Sequence, residues 1–140
     1  VLVWGNPPDH YLREFAQEIE SKRIRFVSDV DDVILRQLYS ASTLSWFPSR
    51  YEGFGLPVLE SMACGTPVVT CRNSSLPEVG GDAALYLDPD DADAMAELMI
   101  DFDRGSSSHG ELVERSLKHA ARFTWERTAR GYIDFYLENL

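Results

Sequence analysis

The sequence carries little positive charge and almost no lysine. Among its 140 residues, 13 are basic and 23 are acidic, which gives a formal net charge of −10, and the only two lysines are Lys22 and Lys118. An acidic chain is repelled by phosphate backbones and by anionic lipid surfaces. We therefore expect neither nucleic acid nor an anionic membrane as a direct partner of this chain.

The sequence also lacks a long apolar run and a cysteine framework. No run approaches the ~20 apolar residues that span a bilayer, and the opening VLVWGNPPDH has no basic region before its apolar stretch, so neither a transmembrane helix nor a signal peptide is expected. Cys64 and Cys71 are the only cysteines. We interpret both as reduced, which favours a cytoplasmic protein.

What the sequence does have is an alternation of short apolar runs with amphipathic segments. Its composition, 44% hydrophobic and 26% charged, suits one globular domain over residues 1–140 with its own core. Apolar runs predict strands at 1–5, 24–27, 44–48, 67–70 and 84–87, and helical spacing with capping residues predicts helices at 10–22, 29–41, 56–64, 88–102, 110–121 and 125–138. This order predicts an α/β fold, a Rossmann-like parallel sheet with helices on both faces.

One loop, SRYEGFG at 49–55, follows the third predicted strand and runs into a helix. In such folds ligands bind beyond the carboxyl ends of the strands. Gly53 and Gly55 allow positive φ or a close approach of the backbone to a ligand, and Pro57 suits the first helical position. The amides around Phe54 and Leu56 are then free donors for phosphate or sugar oxygens.

Two glutamates, Glu52 and Glu60, stand eight positions apart around this loop. Glu60 lies one turn into the helix, where its carboxylate can accept a pair of hydrogen bonds from vicinal hydroxyls. Carboxylates bind sugar hydroxyls well and phosphates badly, so the pattern favours a nucleoside diphosphate sugar. Taken singly, Glu60 is typical of helix-dipole stabilisation worth about 0.3–1 kcal/mol, Glu52 of a solvated loop acid, and the glycines of a turn.

The stretch EGFGLPVLE, continued as SMACGTPVV, resembles the signature of GT-B retaining glycosyltransferases of the GT4 type (glycosyl transferases group 1). The likeness extends upstream through IRFVSDVDDVILRQLYSASTLSWFPSR and downstream through SSLPEVGGDAALYLDPDDADAMAELM. The resemblance implies the C-terminal, donor-binding half of a GT-B fold, here without its first βα unit.

The resemblance also implies roles for particular residues. Glu52 is then the catalytic residue, next to the reacting carbon of the transferred sugar, and Glu60 binds the ribose. The remaining donor-binding positions hold the sugar and the diphosphate through backbone amides, or hold the base: Gly53, Phe54, Gly55 and Leu56 for the former, and the segment 26–30 with Val27 and Val30 for the latter. The family's transfer retains the anomeric configuration, with the leaving phosphate helping to deprotonate the acceptor, and needs no metal and no cofactor. GDP-mannose or UDP-glucose is the expected donor.

The sequence departs from the family pattern in two ways. The family carries an arginine and a lysine upstream of the present Val1 that neutralise the diphosphate, and neither Lys22 nor Lys118 lies where it could replace them. Ser28 stands where the loop that contacts the base usually has glycine. A diphosphate without its basic partners is expected to bind weakly.

The predicted strand order makes the chain look like a piece of a longer enzyme. Rossmann-like sheets have their strands in the spatial order 3-2-1-4-5-6. If the five predicted strands are the second to the sixth, the first strand, which lies in the middle of the sheet, is absent. The two strands on either side of it then have unpaired inner edges. The missing N-terminal domain is expected to bind a glycan or lipid-linked acceptor and to allow peripheral contact with the inner membrane face; a homo-oligomer is a further option. The competing interpretation is a non-catalytic nucleotide-sugar-binding or regulatory module.

Other signals favour structural roles. Asp29-Val30-Asp31 matches the DxD metal motif, but it opens a helix, so capping by Asp29 or Asp31 is expected. The segment 88–95 lacks the glycine and glutamate of a calcium loop, and the three histidines show no metal spacing. The loop 71–82 offers four side chains that are expected to line the ligand edge: Asn73, Ser74, Ser75 and Glu78. For Ser74 or Ser75, capping of a helix is the alternative. The apolar stripe of the last predicted helix indicates core packing or, by the resemblance, an interdomain surface.

Overall fold

A computed structural model describes residues 1–140, with the side chain of Trp4 left out. The chain forms two compact units, Val1–Leu35 and Arg36–Leu140. Each unit is described by itself below. The organisation of residues 1–140 as a single domain stays a prediction.

The first unit has two parallel strands joined by a helical segment. Strand β1, Leu2–Trp4, pairs with β2, Arg25–Val27. The helical segment consists of α1, Asp9–Glu14, and α2, Ala16–Glu20, where the sequence predicts one helix over 10–22. The backbone leaves helical geometry at Phe15 (φ −105°, ψ 25°). The helical hydrogen bonds nevertheless continue through this residue. The Phe15 amide donates to Tyr11 O and the Ile19 amide donates to Phe15 O, both at 3.0 Å.

Helix α3, Asp32–Ser40, begins at an aspartate cap. Asp31 Oδ1 accepts a hydrogen bond from the Ile34 amide at 2.8 Å. Asp29 instead has a left-handed backbone, with φ 54°. The capping interpretation of the DxD match is thus confirmed, and Asp31 is the cap.

The second unit is built on a parallel sheet of three strands in the order β3-β4-β5. The strands are β3, Ser45–Phe47; β4, Val68–Thr70; and β5, Leu85–Tyr86. Its helices are α4, Leu56–Ala63; α5, Leu76–Gly80; α6, Ala92–Asp103; α7, His109–Ala120; and α8, Trp125–Glu138, with a 3₁₀ turn at Gly81–Ala83. Helix α5 and the 3₁₀ turn are not predicted from the sequence, since five residues are too few to show a helical period.

The strand pairing within each of the two sheets follows the expected Rossmann-like order. The second and third strands of the expected order pair with each other as β1 and β2, and the fourth to sixth form the three-stranded sheet. Among the described residues, neither β1 nor β3 hydrogen-bonds to a strand on its other side. The α/β fold with parallel sheets is confirmed, and β1 and β3, the two strands expected to have an unpaired inner edge, each pair on one side only.

The core of the second unit lies between α4, β4 and α5. Its fully buried side chains include Val58 and Met62 of α4, Val68 of β4 and Leu76 of α5. Helix α7 buries Leu112, Ser116 and Ala120 and packs against α4. Helix α4 is buried along one face, and its opposite face, with Leu56 and Glu60, is exposed.

The last helix, α8, has no buried residue. Trp125 is 83% exposed, and four further members of the apolar stripe are more than half exposed: Tyr132, Ile133, Tyr136 and Leu140. Ala129, the remaining member, is exposed as well. The interpretation of this stripe as core packing is therefore wrong for the described chain. An apolar stripe shows that a helix face favours burial but not what covers it.

Within the described residues, no helix has both the length and the apolar character to cross a membrane. Cys64 and Cys71 are free thiols, and burial raises the pKa of Cys71.

Candidate functional site

The loop 48–55 joins the carboxyl end of β3 to α4, as the sequence predicts. Glu52 is half-buried in this loop. Its carboxylate does not point freely into solvent, because Ser49 Oγ donates to Glu52 Oε1 at 2.8 Å. Ser49 was not among the predicted site residues; it lies three positions before Glu52, which is close enough for such a local bond.

The two glycines of the loop differ in what they require. Gly55 has φ 106° and ψ 46°, and a Cβ placed on it would lie 2.8 Å from Leu76 Cδ2. Around Gly53 nothing lies within 4 Å of such a Cβ. Gly55 is thus needed for the fold of the loop, whereas Gly53 faces open space.

Helix α4 begins directly after Gly55, with Pro57 in its first turn. The first amide with a partner there is that of Val58, which donates to Gly55 O at 3.0 Å. In the part of the chain that the structure describes, no hydrogen bond uses the amides of the four predicted backbone donors: Gly53, Phe54, Gly55 and Leu56. Unused amides at the positive end of a helix suit an anionic or hydroxyl oxygen.

Glu60 lies on the exposed face of α4. It follows Leu56 by four positions, so the two side chains share one face of the helix, and both are exposed. Tyr39 Oη lies 3.5 Å from Glu60 Oε2 and donates a long hydrogen bond to it. Burial of the tyrosine, followed by the charge of Glu60, raises the pKa of Tyr39 to about 12. Tyr39 was missed in the sequence because 21 positions separate it from Glu60.

A second loop, residues 71–75, follows β4 and holds the first. Ser74 Oγ accepts from the Glu52 amide at 3.0 Å, while Ser75 Oγ donates to Glu52 O at 3.0 Å and to Phe54 O at 2.8 Å. Ser75 stands at the N-cap of α5, yet its side chain accepts no bond from the helix. Of the two expected roles, capping is wrong for Ser75, because its hydroxyl is directed to the Glu52 loop.

The other two candidates of this loop have different surroundings. Asn73 Oδ1 is buried and has no hydrogen-bond partner among the described residues. Glu78 lies in the first turn of α5, where its charge complements the helix dipole.

The Phe54 side chain contacts Phe123, in the turn between α7 and α8. Its ring centroid lies 6.4 Å from that of Phe123 in an edge-on arrangement, and Phe123 lies 5.3 Å from His119. His119 Nε2 is 2.8 Å from Val79 O. A row of rings therefore connects the Glu52 loop to His119 of α7, whose imidazole in turn contacts a backbone carbonyl of α5.

Val27 and Val30, the predicted base-binding positions, belong to the first unit. Val27 ends β2, and its carbonyl accepts from the Gly5 amide at 2.9 Å. Val30 directly precedes the cap of α3. Both are half-buried, and Ser28 between them is exposed.

Two arginines that follow the strands β3 and β4 have partners within the chain. Arg50 forms an ion pair with Asp90, and the Arg72 guanidinium lies 4.4 Å from the centroid of the Tyr86 ring. In this arrangement both guanidinium groups contact side chains of the same unit. Among the described residues, no group of three His, Cys, Asp or Glu side chains is placed to hold a metal ion.

Comparisons with known proteins show what this chain is similar to. A family profile described as "Glycosyl transferases group 1" matches residues 1–102. The O-antigen chain mannosyltransferase B of Escherichia coli is 42% identical over 113 residues, which are 81% of this chain and 30% of that protein.

Two solved structures resemble the chain over nearly all of its length. A sucrose-phosphate synthase from Thermosynechococcus elongatus has a TM-score of 0.79 at 28% identity, over 98% of this chain and 37% of that one. The Anabaena protein HepE, in complex with UDP-glucose, has a TM-score of 0.75 at 21% identity, over 99% of this chain and 40% of that one. At the latter identity the likeness shows the fold alone. The chain spans less than half of each of these proteins.

Proposed function

Since the chain belongs to the group 1 glycosyltransferases, we propose that it is the donor-binding part of a retaining hexosyltransferase and binds a nucleoside diphosphate sugar. The observation that supports this most is the loop between β3 and α4. It combines unused amides at a helix start with a fixed carboxylate before them and an exposed carboxylate one turn beyond.

In this proposal different groups of the protein bind different parts of the donor. The amides of Gly53 to Leu56 bind sugar and diphosphate oxygens, where their dipoles favour negative charge. Glu60 accepts hydrogen bonds from the two ribose hydroxyls, and the Tyr39 hydroxyl limits the rotation of its carboxylate. The backbone around Val27 and Val30 holds the base.

Glu52 is the proposed catalytic residue. As the bond between the anomeric carbon and the diphosphate breaks, positive charge develops on the sugar, and a fixed carboxylate next to it stabilises that charge. The acceptor oxygen forms its bond on the face that the diphosphate leaves, and the leaving phosphate accepts the acceptor proton. No metal and no cofactor takes part in this scheme.

Two donors are proposed, GDP-mannose and UDP-glucose. The first is supported by the mannosyltransferase relative, and the second by the fold neighbour that was solved with UDP-glucose. Neither comparison assigns the base that this chain binds.

In this proposal the isolated chain binds the nucleotide sugar weakly and transfers no sugar. Arg50 is paired with Asp90 and Arg72 lies against the Tyr86 ring, so in this proposal neither of them neutralises the diphosphate. Acceptor recognition, whether of a glycan or a lipid-linked sugar, and any peripheral contact with the inner membrane face belong to a further domain in this scheme, and a cytoplasmic location stays a prediction.

Calorimetry of the chain with UDP-glucose, GDP-mannose and the free diphosphates tests donor binding. The same titrations on Glu60→Ala and on Glu97→Ala, an exposed glutamate of α6, separate a local role from a change of net charge. We expect binding that Glu60→Ala weakens and Glu97→Ala leaves unchanged. Absence of heat with every nucleotide, together with no protection against thermal unfolding, would contradict the proposal.

Transfer is tested in a chimaera in which this chain replaces the matching segment of the E. coli mannosyltransferase. We expect sugar transfer that Glu52→Gln abolishes. Donor binding without transfer in a folded chimaera would instead support a non-catalytic nucleotide-sugar-binding or regulatory module.

A further inference from the structure

Ser75 makes contacts that determine which way the peptide groups of the Glu52 loop face. Its hydroxyl lies 3.0 Å from Glu52 O and 2.8 Å from Phe54 O. A hydroxyl has one proton, so the two carbonyls share it in a bifurcated bond. Both carbonyls are thereby directed at the same side chain.

The directions of the neighbouring amides follow from peptide geometry. In a trans peptide the C=O of one residue and the N–H of the next point in opposite directions, and the chain has no cis peptide bond among its described residues. With Glu52 O and Phe54 O directed at Ser75, the amides of Gly53 and Gly55 point away from it. Two amides on one side of a loop form a concave donor pair of the kind that binds anions.

Ser74 restrains the same loop from the preceding position. Its Oγ accepts the Glu52 amide at 3.0 Å, and its own backbone is left-handed, with φ 45°. A serine in that conformation is strained. Within the loop 71–75, Ser74 is the residue with positive φ, as expected where the surrounding structure imposes a local geometry.

We propose that Ser75, assisted by Ser74, is a positioning residue that holds the carbonyls of Glu52 and Phe54 toward α5 and so presents the Gly53 and Gly55 amides to the diphosphate of the donor. The ligand in this inference rests on the proposed function, but the effect of Ser75 on the loop does not. Ser75 acts through the backbone and touches no reacting atom in this scheme.

The test compares three variants with the unmodified chain. Ser75→Ala removes the hydroxyl, Ser75→Thr keeps it, and Ser108→Ala is the matched control, because Ser108 is also an N-cap residue whose side chain makes no capping bond. Backbone ¹⁵N order parameters of Gly53 and Gly55 report the loop without any ligand. Affinities for UDP-glucose and GDP-mannose come from calorimetry.

We expect Ser75→Ala to lower the order parameters of the two glycines from about 0.85 toward 0.6 and to raise the donor Kd by roughly 5- to 10-fold, as for a lost neutral hydrogen bond. Ser75→Thr restores both quantities, and Ser108→Ala changes neither. Unchanged order parameters in Ser75→Ala overturn the inference. So does a loss of affinity that Ser75→Thr fails to restore, since that would reflect packing at the site.

Two further arms keep the outcomes distinct. If the unmodified chain binds no donor, the proposed function fails, while the order parameters still decide the role of Ser75. If Ser75→Ala does not fold, Ser74→Ala takes its place: faster hydrogen exchange of the Glu52 amide supports the restraint, and unchanged exchange refutes it.

Discussion

Replacing Gly55 by alanine tests whether the Glu52 loop owes its conformation to a backbone that only glycine adopts easily. At φ 106°, an alanine is strained, at a cost of about 1–2 kcal/mol for a left-handed L-residue. Its methyl would also lie 2.8 Å from Leu76 Cδ2, a fully buried side chain, and overpacking of this kind costs about 1–3 kcal/mol. We expect Gly55→Ala to lower the free energy of unfolding by about 2–5 kcal/mol.

The assay is thermal and urea unfolding followed by circular dichroism, with Gly53→Ala as the matched control. For a chain of this size the expected loss corresponds to a decrease in Tm of roughly 6–20 °C, at about 3–4 °C per kcal/mol. Gly53 has open space where a Cβ would stand, so Gly53→Ala should remain within about 0.5 kcal/mol of the unmodified chain. Under the proposed function, its methyl would obstruct the donor, and Gly53→Ala should weaken donor binding without loss of stability.

A double-mutant cycle separates the two causes of the Gly55 effect. Leu76→Ala alone should cost about 2–5 kcal/mol as a buried truncation. If the contact with Leu76 matters, the double variant should be less destabilised than the sum of the single changes. Equal stabilities of Gly55→Ala and Gly53→Ala would refute the argument from backbone conformation altogether.

Three other changes have expected outcomes. In an active chimaera, Glu60→Ala should weaken donor binding by about 1.5–3 kcal/mol, the worth of a hydrogen bond to a charged group, or roughly 10- to 150-fold in Kd; an unchanged Kd argues against the ribose role. Glu52→Ala should mainly lower kcat, because its contact strengthens in the transition state, and a change in KM alone would contradict this. The pKa of Tyr39 is raised to about 12, so the folded state holds the phenol proton more tightly than the unfolded state does. The stability that this proton contributes is complete below pH 10 and is lost between about pH 10 and 12. Tyr39→Phe should flatten this part of the stability profile, and an identical slope in both proteins would show that the tyrosine is not responsible.

The sequence predicted those parts of the fold that depend on neighbours along the chain. Apolar runs located all five strands, and Asp31 and the Gly55–Leu56 boundary gave the starts of α3 and α4. Such signals are local, because a cap or a turn is formed by residues within about four positions of each other. The parallel order followed from the alternation of strands and helices.

The sequence could not predict contacts between distant segments. Ser75 meets Glu52 across 23 positions, and Tyr39 meets Glu60 across 21. No periodicity marks these pairs, since they depend on which loops share a sheet edge. The interpretation of the α8 stripe as core packing was wrong for a related reason. The spacing of its apolar residues indicates an amphipathic helix but contains no information about the surface that covers it.

The row of rings from Phe54 through Phe123 to His119 has an evolutionary consequence. A smaller residue at either phenylalanine removes the contact between the two rings, and such pairs contribute about 0.5–1.5 kcal/mol beyond their buried area. Natural replacements at these two positions should therefore arise together in homologues. Sequence change in the turn between α7 and α8 is then constrained by the loop that carries Glu52, although the two segments lie far apart in the sequence.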